Sequence, residues 1–418
     1  MSTVNDKKNK VKKYILMKLF CLFMLVLSVL YSAAKEKFFP VGKSVSTMVS
    51  ASSAGKTEEM KAVWVSFMDL DLKGTDYSEK AFREKFDNIV DDCKSFNLNT
   101  LIVNVRPFGD ALYPSKIFPS SHIVVEKQGD TLKFDPLKYM IEKTHSENMQ
   151  FHAWINPLRI QVNNKPEFLA ENNPFNAWKN NMDPKTENFV VDFGNEKYYN
   201  PGYAEVRKLI IDGVKEVVSN YDVDGIHFDD YFYPENKPDF DAKCYSEYLS
   251  QATTGEALPL DKWRMANINA LVAGTYNAVK SIKSNVEFGI SPQCNILKNA
   301  AIGADIYSWC QYKGYVDYIC PQMYVNFEHW FLPFDTAMNT WKDIPRNKDI
   351  KLYCGLGVYK AGSDVDRGTW KNSNDILQKE VEYARKSGCD GFMLFCYGSL
   401  NLPQSQEEVK NMMKVLNS

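Results

Sequence analysis

The chain has 418 residues, of which 44% are hydrophobic and 24% charged, a balance typical of a protein that buries a large core. Its 50 Lys and Arg residues nearly match its 52 Asp and Glu residues, for a formal net charge of -2. This balance excludes the basic surface typical of a nucleic-acid-binding protein, so we expect no nucleic-acid partner.

The first 34 residues contain, in sequence, the basic, apolar and small-residue segments of a secretory signal peptide or membrane anchor. Several lysines up to Lys18 precede an apolar run from Leu19 to Tyr31, and Ser32-Ala33-Ala34 then supplies small residues for cleavage. The run is shorter than the roughly 20 residues that a membrane-spanning helix needs. An uncleaved anchor stays open as an alternative, because Tyr14 to Met17 extend the apolar stretch. A membrane is therefore a partner only if this segment is retained.

The sequence after this segment divides into a linker over residues 35–58 and one domain over residues 59–418. In the domain, short apolar segments alternate with amphipathic helical segments. The eight strand candidates begin at Lys61, Asn99, Gln150, Asp224, Asn285, Val316, Lys351 and Asp390. Eight such units predict a single α/β domain, a closed (β/α)₈ TIM barrel. The long strand-to-helix connections place its binding face at the C-terminal ends of the strands.

Cofactor motifs are missing from the sequence. No GxGxxG follows any predicted strand, which argues against a dinucleotide. The nine cysteines form no CxxC pair, and three of them, Cys320, Cys354 and Cys396, fall within predicted strands. We therefore expect no metal, no other cofactor and no disulfide framework.

Polar side chains occupy strand positions that a barrel normally fills with apolar residues. Because side chains alternate along a strand, each set shares one face and points towards the barrel interior. The polar residues in these positions are Asn104 and Arg106, His152, Trp154 and Asn156, His227 and Asp229, Ser291 and Gln293, and Gln322 and Tyr324. Burying each without a hydrogen bond would cost on the order of 1–3 kcal/mol. They predict either a binding site or a self-satisfied polar network.

Asp229 and Asp230 are the candidate catalytic pair. Glycosidic cleavage needs one carboxyl group to protonate the leaving oxygen and a second group to stabilise or attack the anomeric carbon. Mutual repulsion would raise the pKa of one carboxyl and leave the other low. Asp230 lies on the opposite face of the strand unless the backbone turns after Asp229. The alternative is that both aspartates cap a helix or form a surface salt bridge.

Several long motifs resemble the glycosyl hydrolase-like 10 family. They are KAVWVS, NVRPFGDALYPS, HAWINPLR, DGIHFDDYFYP, ISPQ and DYICPQMY, and the resemblance runs from about Lys61 to Ser399. It implies a (β/α)₈ barrel with carbohydrate-active function, and it adds Asp110, Arg159 and Tyr231 as candidate substrate-binding residues. DGIHFD is also similar to the nucleophile strand of α-amylase-like enzymes, with Asp229 at the carboxylate position. Tyr231 stands where chitinase-type barrels have their catalytic Glu, which argues against a chitinase mechanism.

These features predict a carbohydrate-active hydrolase that cleaves O-glycosidic bonds of an extracellular or cell-wall glycan. Asp229 and Asp230 are its predicted catalytic residues, with possible help from an acetamido group of the substrate. The predicted substrate-binding residues are Arg106, Asp110, Trp154, Asn156, Arg159, His227, Tyr231, Gln293, Gln322 and Tyr324. The predicted partner is an oligosaccharide or polysaccharide. The alternative is a non-catalytic glycan-binding barrel, and a weaker one is another sugar-modifying enzyme.

We predict that the protein is exported, to be secreted or held at the cell surface. The basic stretch and the apolar run have no place in the barrel pattern, whereas they match an export signal. Fractionation of cells that express the full chain should find it outside the cytoplasm. Recovery of the intact 418-residue chain from the cytoplasmic fraction would contradict the prediction.

Overall fold

A computed structural model of the chain describes residues 58–234, 239–253 and 255–418. The predicted signal or anchor and all of the linker except residue 58 lie outside these ranges. Residues 58–418 form one compact unit built around a parallel β-barrel. The strands of the barrel are β1 Met60–Val65, β2 Thr100–Arg106, β3 Gln150–Ile155, β7 Gly225–Phe228, β8 Glu287–Ile290, β9 Tyr318–Ile319, β10 Gln322–Met323, β11 Lys351–Leu356 and β12 Gly391–Leu394. A separate small antiparallel sheet consists of β4 Arg159–Gln161, β5 Val190–Asp192 and β6 Lys197–Tyr199.

The barrel closes in the order β1-β2-β3-β7-β8-β9-β11-β12, and β12 pairs with β1. Every pairing in it is parallel, which confirms the predicted (β/α)₈ barrel of eight strands. The sixth strand is split into β9 and β10 at Pro321, whose nitrogen has no hydrogen to donate. The Pro321 carbonyl still accepts a hydrogen bond from the Gly355 N–H, so β9 and β10 together pair with β11 as one strand of the barrel.

Helices surround the barrel. In the described residues they are α1 Phe67–Leu70, α2 Glu79–Ser95, α3 Pro136–Ser146, α4 Pro174–Asn180, α5 Ala204–Asn220, α6 Ala242–Gln251, α7 Leu260–Ile282, α8 Ile296–Ala301, α9 Ile306–Gln311, α10 Phe334–Lys342, α11 Ile376–Lys386 and α12 Gln406–Leu416. Helix α5 buries Val206, Ile210, Val214 and Val217 at helical spacing, and Leu209 beside them is partly buried. No helix in the described part of the chain is both long and apolar enough to cross a bilayer.

The buried side chains form two layers. The larger lies between the barrel and the helices, and the smaller fills the barrel interior around Trp64, Trp154, Tyr318 and Tyr353. Gly289 gives the interior room, since a Cβ atom there would lie 2.0 Å from the Tyr318 ring. The Tyr318 ring therefore fits into the interior only because Gly289, on the adjacent strand, has no side chain.

A β-bulge changes the direction of one predicted site residue. Asn104 pairs with Trp154, but the register slips, and Arg106 pairs with Ile155, whose side chain belongs to the outer layer. Arg106 therefore points away from the barrel interior, and its guanidinium lies 4.4 Å from the centre of the Phe118 ring. The sequence prediction that Arg106 shares the face of Asn104 is wrong, because strict alternation fails across a bulge.

The small antiparallel sheet lies in the long connection after β3. Its order is β4-β6-β5, and β4 begins at Arg159, three residues after Asn156. The Asn156 side-chain oxygen accepts a hydrogen bond of 2.9 Å from Arg159 N. This turn places Arg159 at the mouth of the barrel, beyond the C-terminal end of β3.

Candidate active site

A central cavity of about 320 Å³ opens at the C-terminal ends of the barrel strands. Strands β1, β3, β7, β8, β10 and β12 all contribute to it directly or through the residues that follow them. Its lining includes Trp64, Ser66, Trp154, Arg159, Asp229, Asp230, Tyr231, Gln322, Tyr324, Tyr359 and Phe395. The polar strand ends predicted from the sequence thus meet at the end of the barrel where active sites of this fold are built.

Asp229 lies at the floor of the central cavity and is only 3% exposed. Trp154 Nε1 donates to Oδ2 at 2.8 Å, and Asn156 Nδ2 donates to the same oxygen at 3.0 Å. The backbone N–H of Tyr231 donates to Oδ1 at 3.3 Å. All of these partners are donors, so the hydrogen bonds suit the ionised carboxylate and leave it facing the cavity in a fixed orientation.

Burial nevertheless dominates the acidity of Asp229. Desolvation raises its pKa from 3.8 to about 6, the nearby Asp230 charge adds to the rise, and Arg159 and the Trp154 hydrogen bond oppose it. Burial also raises the pKa of Asp230, although hydrogen bonds from Gln322 and Gln293 lower it. The expectation that one carboxyl keeps an ordinary low pKa is wrong, since both groups are shielded from water. Both carboxyls therefore hold their protons to higher pH than an exposed aspartate does.

Asp230 lies where two cavities meet. It lines the central cavity and also an outer cavity of about 330 Å³, whose walls include Gln293, Lys298 and His329. Strand β7 ends at Phe228, and the backbone turns there, so Asp230 faces the same mouth as Asp229. Gln322 Nε2 donates to Asp230 Oδ1 at 2.8 Å and to the Ser291 carbonyl at 3.0 Å. The carboxyl is therefore held at the border between two binding spaces.

A chain of hydrogen bonds lies beneath the pair in the barrel interior. Trp64 Nε1 donates to His227 Nε2 at 3.2 Å, so the His227 proton is on Nδ1, 3.0 Å from the Tyr318 hydroxyl. That hydroxyl donates in turn to His152 Nδ1 at 3.1 Å. Burial holds the pKa of His227 well below 6.5, so the ring is neutral and its tautomer is fixed. The chain forms a rigid base for the cavity floor.

The structure brings most of the predicted site residues together. Asn156 holds Asp229, Gln322 and Tyr324 line both cavities, and Gln293 lines the outer one. Tyr231 is half exposed at the rim, and the Arg159 guanidinium lies 4.6 Å from the centre of its ring. These residues form one contiguous surface around the aspartate pair.

Three predicted substrate-binding residues do not reach that surface. Arg106 points into the outer layer because of the bulge. Asp110 is fully buried and accepts a hydrogen bond of 2.9 Å from Gln128 Nε2. His227 is also fully buried, enclosed by the interior hydrogen-bond chain. Their placement assigns all three to support of the fold, because no atom of theirs lines the central or outer cavity.

Several lining residues were not predicted. Trp64 and Ser66 share the face of β1 that alternation places inside the barrel, so the sequence carried a signal for them. Tyr359, Lys298 and His329 come from irregular segments or short elements after the strands, where periodicity carries no information. In the described part of the chain, no cluster of His, Cys, Asp or Glu is arranged to hold a metal ion.

The fold and the site together define a glycoside hydrolase-like barrel. Residues 59–371 match the family model described as Glycosyl hydrolase-like 10. The chain is 32% identical over 388 residues to Glycosyl hydrolase YngK of Bacillus subtilis, covering 86% of this chain and 72% of that protein. It is 31% identical over 353 residues to Glycosyl hydrolase DigH of Escherichia coli, covering 79% and 78%. This chain belongs to the glycosyl hydrolase-like 10 family, as its motifs predict.

A solved structure extends the likeness of the fold. The glycoside hydrolase domain of PgaB (BpsB) from Bordetella bronchiseptica superposes with a TM-score of 0.55 at 11% identity, over 85% of this chain and 99% of that domain. At this identity the likeness concerns the fold alone.

Replacing Trp154 should raise the pKa of Asp229. Trp154→Phe keeps a large ring but removes the N–H that stabilises the carboxylate, so the carboxyl should hold its proton to higher pH. In a ¹³C NMR titration of the full chain, we expect the Asp229 midpoint to move up by about one pH unit.

Trp64→Phe is the matched control for this titration, because Trp64 donates to His227 and not to Asp229. It should leave the Asp229 midpoint near its wild-type position. An equal shift in both variants, or none in Trp154→Phe, would show that the indole hydrogen bond does not tune Asp229.

Proposed function

We propose that the protein is a hydrolase that cleaves O-glycosidic bonds of an extracellular or cell-wall glycan, with Asp229 and Asp230 as its catalytic groups. The observation that carries this proposal is their placement. Among the residues that the structure describes, Asp229 and Asp230 are the carboxylates that line the central and outer cavities, and both are shielded from water. Desolvated carboxyls that share one proton supply an acid and an anion at the same pH.

Asp230 suits the role of general acid. It stands at the border of the two cavities, where an oxygen that links a sugar in one to a sugar in the other would lie beside it. Burial raises its pKa, which favours retention of a proton for transfer, and the role is assigned to Asp230 by its position between the cavities. In the proposed first step, that proton passes to the linking oxygen as the bond from the anomeric carbon to this oxygen breaks.

Asp229 suits the role of a fixed anion better than that of an attacking nucleophile. Each of its two oxygens accepts two hydrogen bonds, with Asn156 Nδ2 shared between them, and the group is nearly fully buried. The two carboxyls also come from consecutive residues, whereas the usual acid and nucleophile flank the scissile bond from opposite sides. We therefore propose that the acetamido oxygen of the substrate attacks the anomeric carbon. The Asp229 carboxylate accepts the acetamido N–H and stabilises the resulting cation.

Water completes the proposed reaction. Ionised Asp230 takes a proton from a water molecule, whose oxygen attacks the anomeric carbon and opens the ring formed by the acetamido group. Asp230 regains its proton, and the product has the configuration of the substrate. The net reaction consumes one water molecule and gives two shorter glycans, one with a new reducing end and one with a new non-reducing end.

Asparagine substitutions test the catalytic pair. We expect Asp229→Asn and Asp230→Asn each to lower turnover by ~10²–10⁴-fold, because each removes an ionisable group from the reaction. Initial rates are measured with the full chain on glycol chitin, soluble peptidoglycan strands and hydroxyethyl cellulose, beside a thermal melt. Cleavage of the first two polymers, which carry acetamido groups, and not of the third is expected.

Asp241→Asn is the matched control, since Asp241 is 2% exposed and is bonded to Arg264 away from both cavities. It should lower the melting temperature and leave turnover per folded molecule unchanged. Binding without cleavage by the wild type would favour the non-catalytic glycan-binding barrel instead. Loss of turnover in Asp229→Asn together with a melting temperature lowered by many degrees would make Asp229 a structural residue.

A further inference from the structure

A third cavity lies at the same end of the barrel, and the proposed reaction does not use it. This lateral cavity has a volume of about 460 Å³, more than the 320 Å³ of the central cavity. Its walls come from the connections that follow β1, β2 and β3, through Tyr77, His122 and Phe168 among others. Because all three connections leave the C-terminal ends of adjacent strands, the lateral cavity belongs to the face that carries the aspartate pair.

A thin wall separates the lateral cavity from the central one. Phe67 lines the central cavity, and its ring centre lies 5.1 Å from that of Phe108. Phe108 lies in turn 5.7 Å from the ring of His122, which lines the lateral cavity. On the other side of Phe108, the Arg159 guanidinium is 5.1 Å away and lines the central cavity. One layer of side chains thus divides the two spaces.

The lining of the lateral cavity combines charges of both signs with aromatic rings. The charged side chains are Lys73, Lys127, Lys165, Asp71, Glu126 and Glu167. Their equal numbers argue against a phosphate or another multiply charged anion as the ligand. A sugar hydroxyl donates and accepts at once, so ammonium and carboxylate groups side by side suit it, through charge-assisted hydrogen bonds. Phe168 is 42% exposed. The Lys127 ammonium covers one face of its ring, 3.9 Å from the centre, and the opposite face is the apolar surface for the C–H side of a sugar ring.

The back of the lateral cavity is built from buried polar groups. Asp110 is fully buried, and its Oδ2 lies 3.5 Å from His122 Nδ1 and 2.9 Å from Gln128 Nε2. Gln128 is also held through its oxygen by the N–H of Ala170 and the side chain of Asn173. Gln128 is thus fixed at a wall of the cavity by three hydrogen bonds, as expected of a preformed binding site.

We propose that the lateral cavity is a second sugar-binding subsite, which holds a distal unit of the same glycan whose bond is cleaved beside Asp230. This inference rests on the proposed function. A chain that occupies the outer, central and lateral cavities crosses the barrel mouth from the β8–β10 side to the β1–β3 side. The protein then acts within long chains and favours them over short ones.

Phe168→Ala tests the subsite with the full chain. We measure kcat/KM on glycol chitin and on a chitin trisaccharide, and retardation in gels that contain glycol chitin or soluble peptidoglycan strands. Loss of the aromatic face should lower kcat/KM on the polymer by ~3–10-fold and leave the trisaccharide unaffected. Tyr312→Ala is the control, because Tyr312 is 61% exposed and precedes β9 at the opposite end of the barrel.

The outcomes separate this inference from the proposed function. If the wild type, Phe168→Ala and Tyr312→Ala all cleave the glycan, and the ratio of kcat/KM on the polymer to kcat/KM on the trisaccharide is the same in all three, the subsite alone is overturned. Retardation without cleavage, lost in Phe168→Ala, overturns the hydrolase and supports the subsite. Retardation without cleavage that Phe168→Ala retains overturns both, as does a wild type that is neither active nor retarded on these polymers.

Discussion

Removal of the Asp229 carboxyl from water is the constraint on which the site depends. Its pKa of about 6, against 3.8 for an exposed aspartate, means that the folded state binds the proton more tightly than the unfolded state. Stability therefore falls as pH rises from about 4 to about 6, and ionised Asp229 costs about 3 kcal/mol of folding free energy at neutral pH. The indole of Trp154 and the amide of Asn156 offset part of that cost and fix the carboxylate. The same desolvation raises the pKa of the adjacent Asp230.

The interior of the barrel explains how such a group is tolerated. A TIM barrel is normally filled with branched apolar side chains, but here Trp64, His227, Tyr318 and His152 form one hydrogen-bonded chain. Burial lowers the pKa of both histidines, and the Tyr318 hydroxyl joins their Nδ1 atoms without adding charge beneath Asp229. The polar residues that the sequence places in the interior thus have two roles. Those at the bottom support the floor, and those at the strand ends surround the aspartate pair.

Period-two alternation made much of this predictable. It gave the inward direction of Trp154, Asn156 and Asp229, whereas the alternation of apolar and helical segments gave the eight strands and the loop lengths gave the end of the barrel that carries the site. It failed where the backbone departs from a regular strand. A bulge turns Arg106 outwards, and a bend after Phe228 brings Asp230 inwards. The lateral cavity could not be predicted, because its walls are connections whose packing is set by tertiary contacts rather than by local sequence pattern.

The configuration of the first product shows whether the aspartate pair acts together with the acetamido group of the substrate, through two displacements at the anomeric carbon. ¹H NMR of a glycol chitin digest in its first minutes, before the new reducing end equilibrates, reports which anomer forms. We expect the anomer that has the configuration of the substrate. The opposite anomer would mean that water attacks directly, and it would contradict the roles assigned to Asp229 and Asp230.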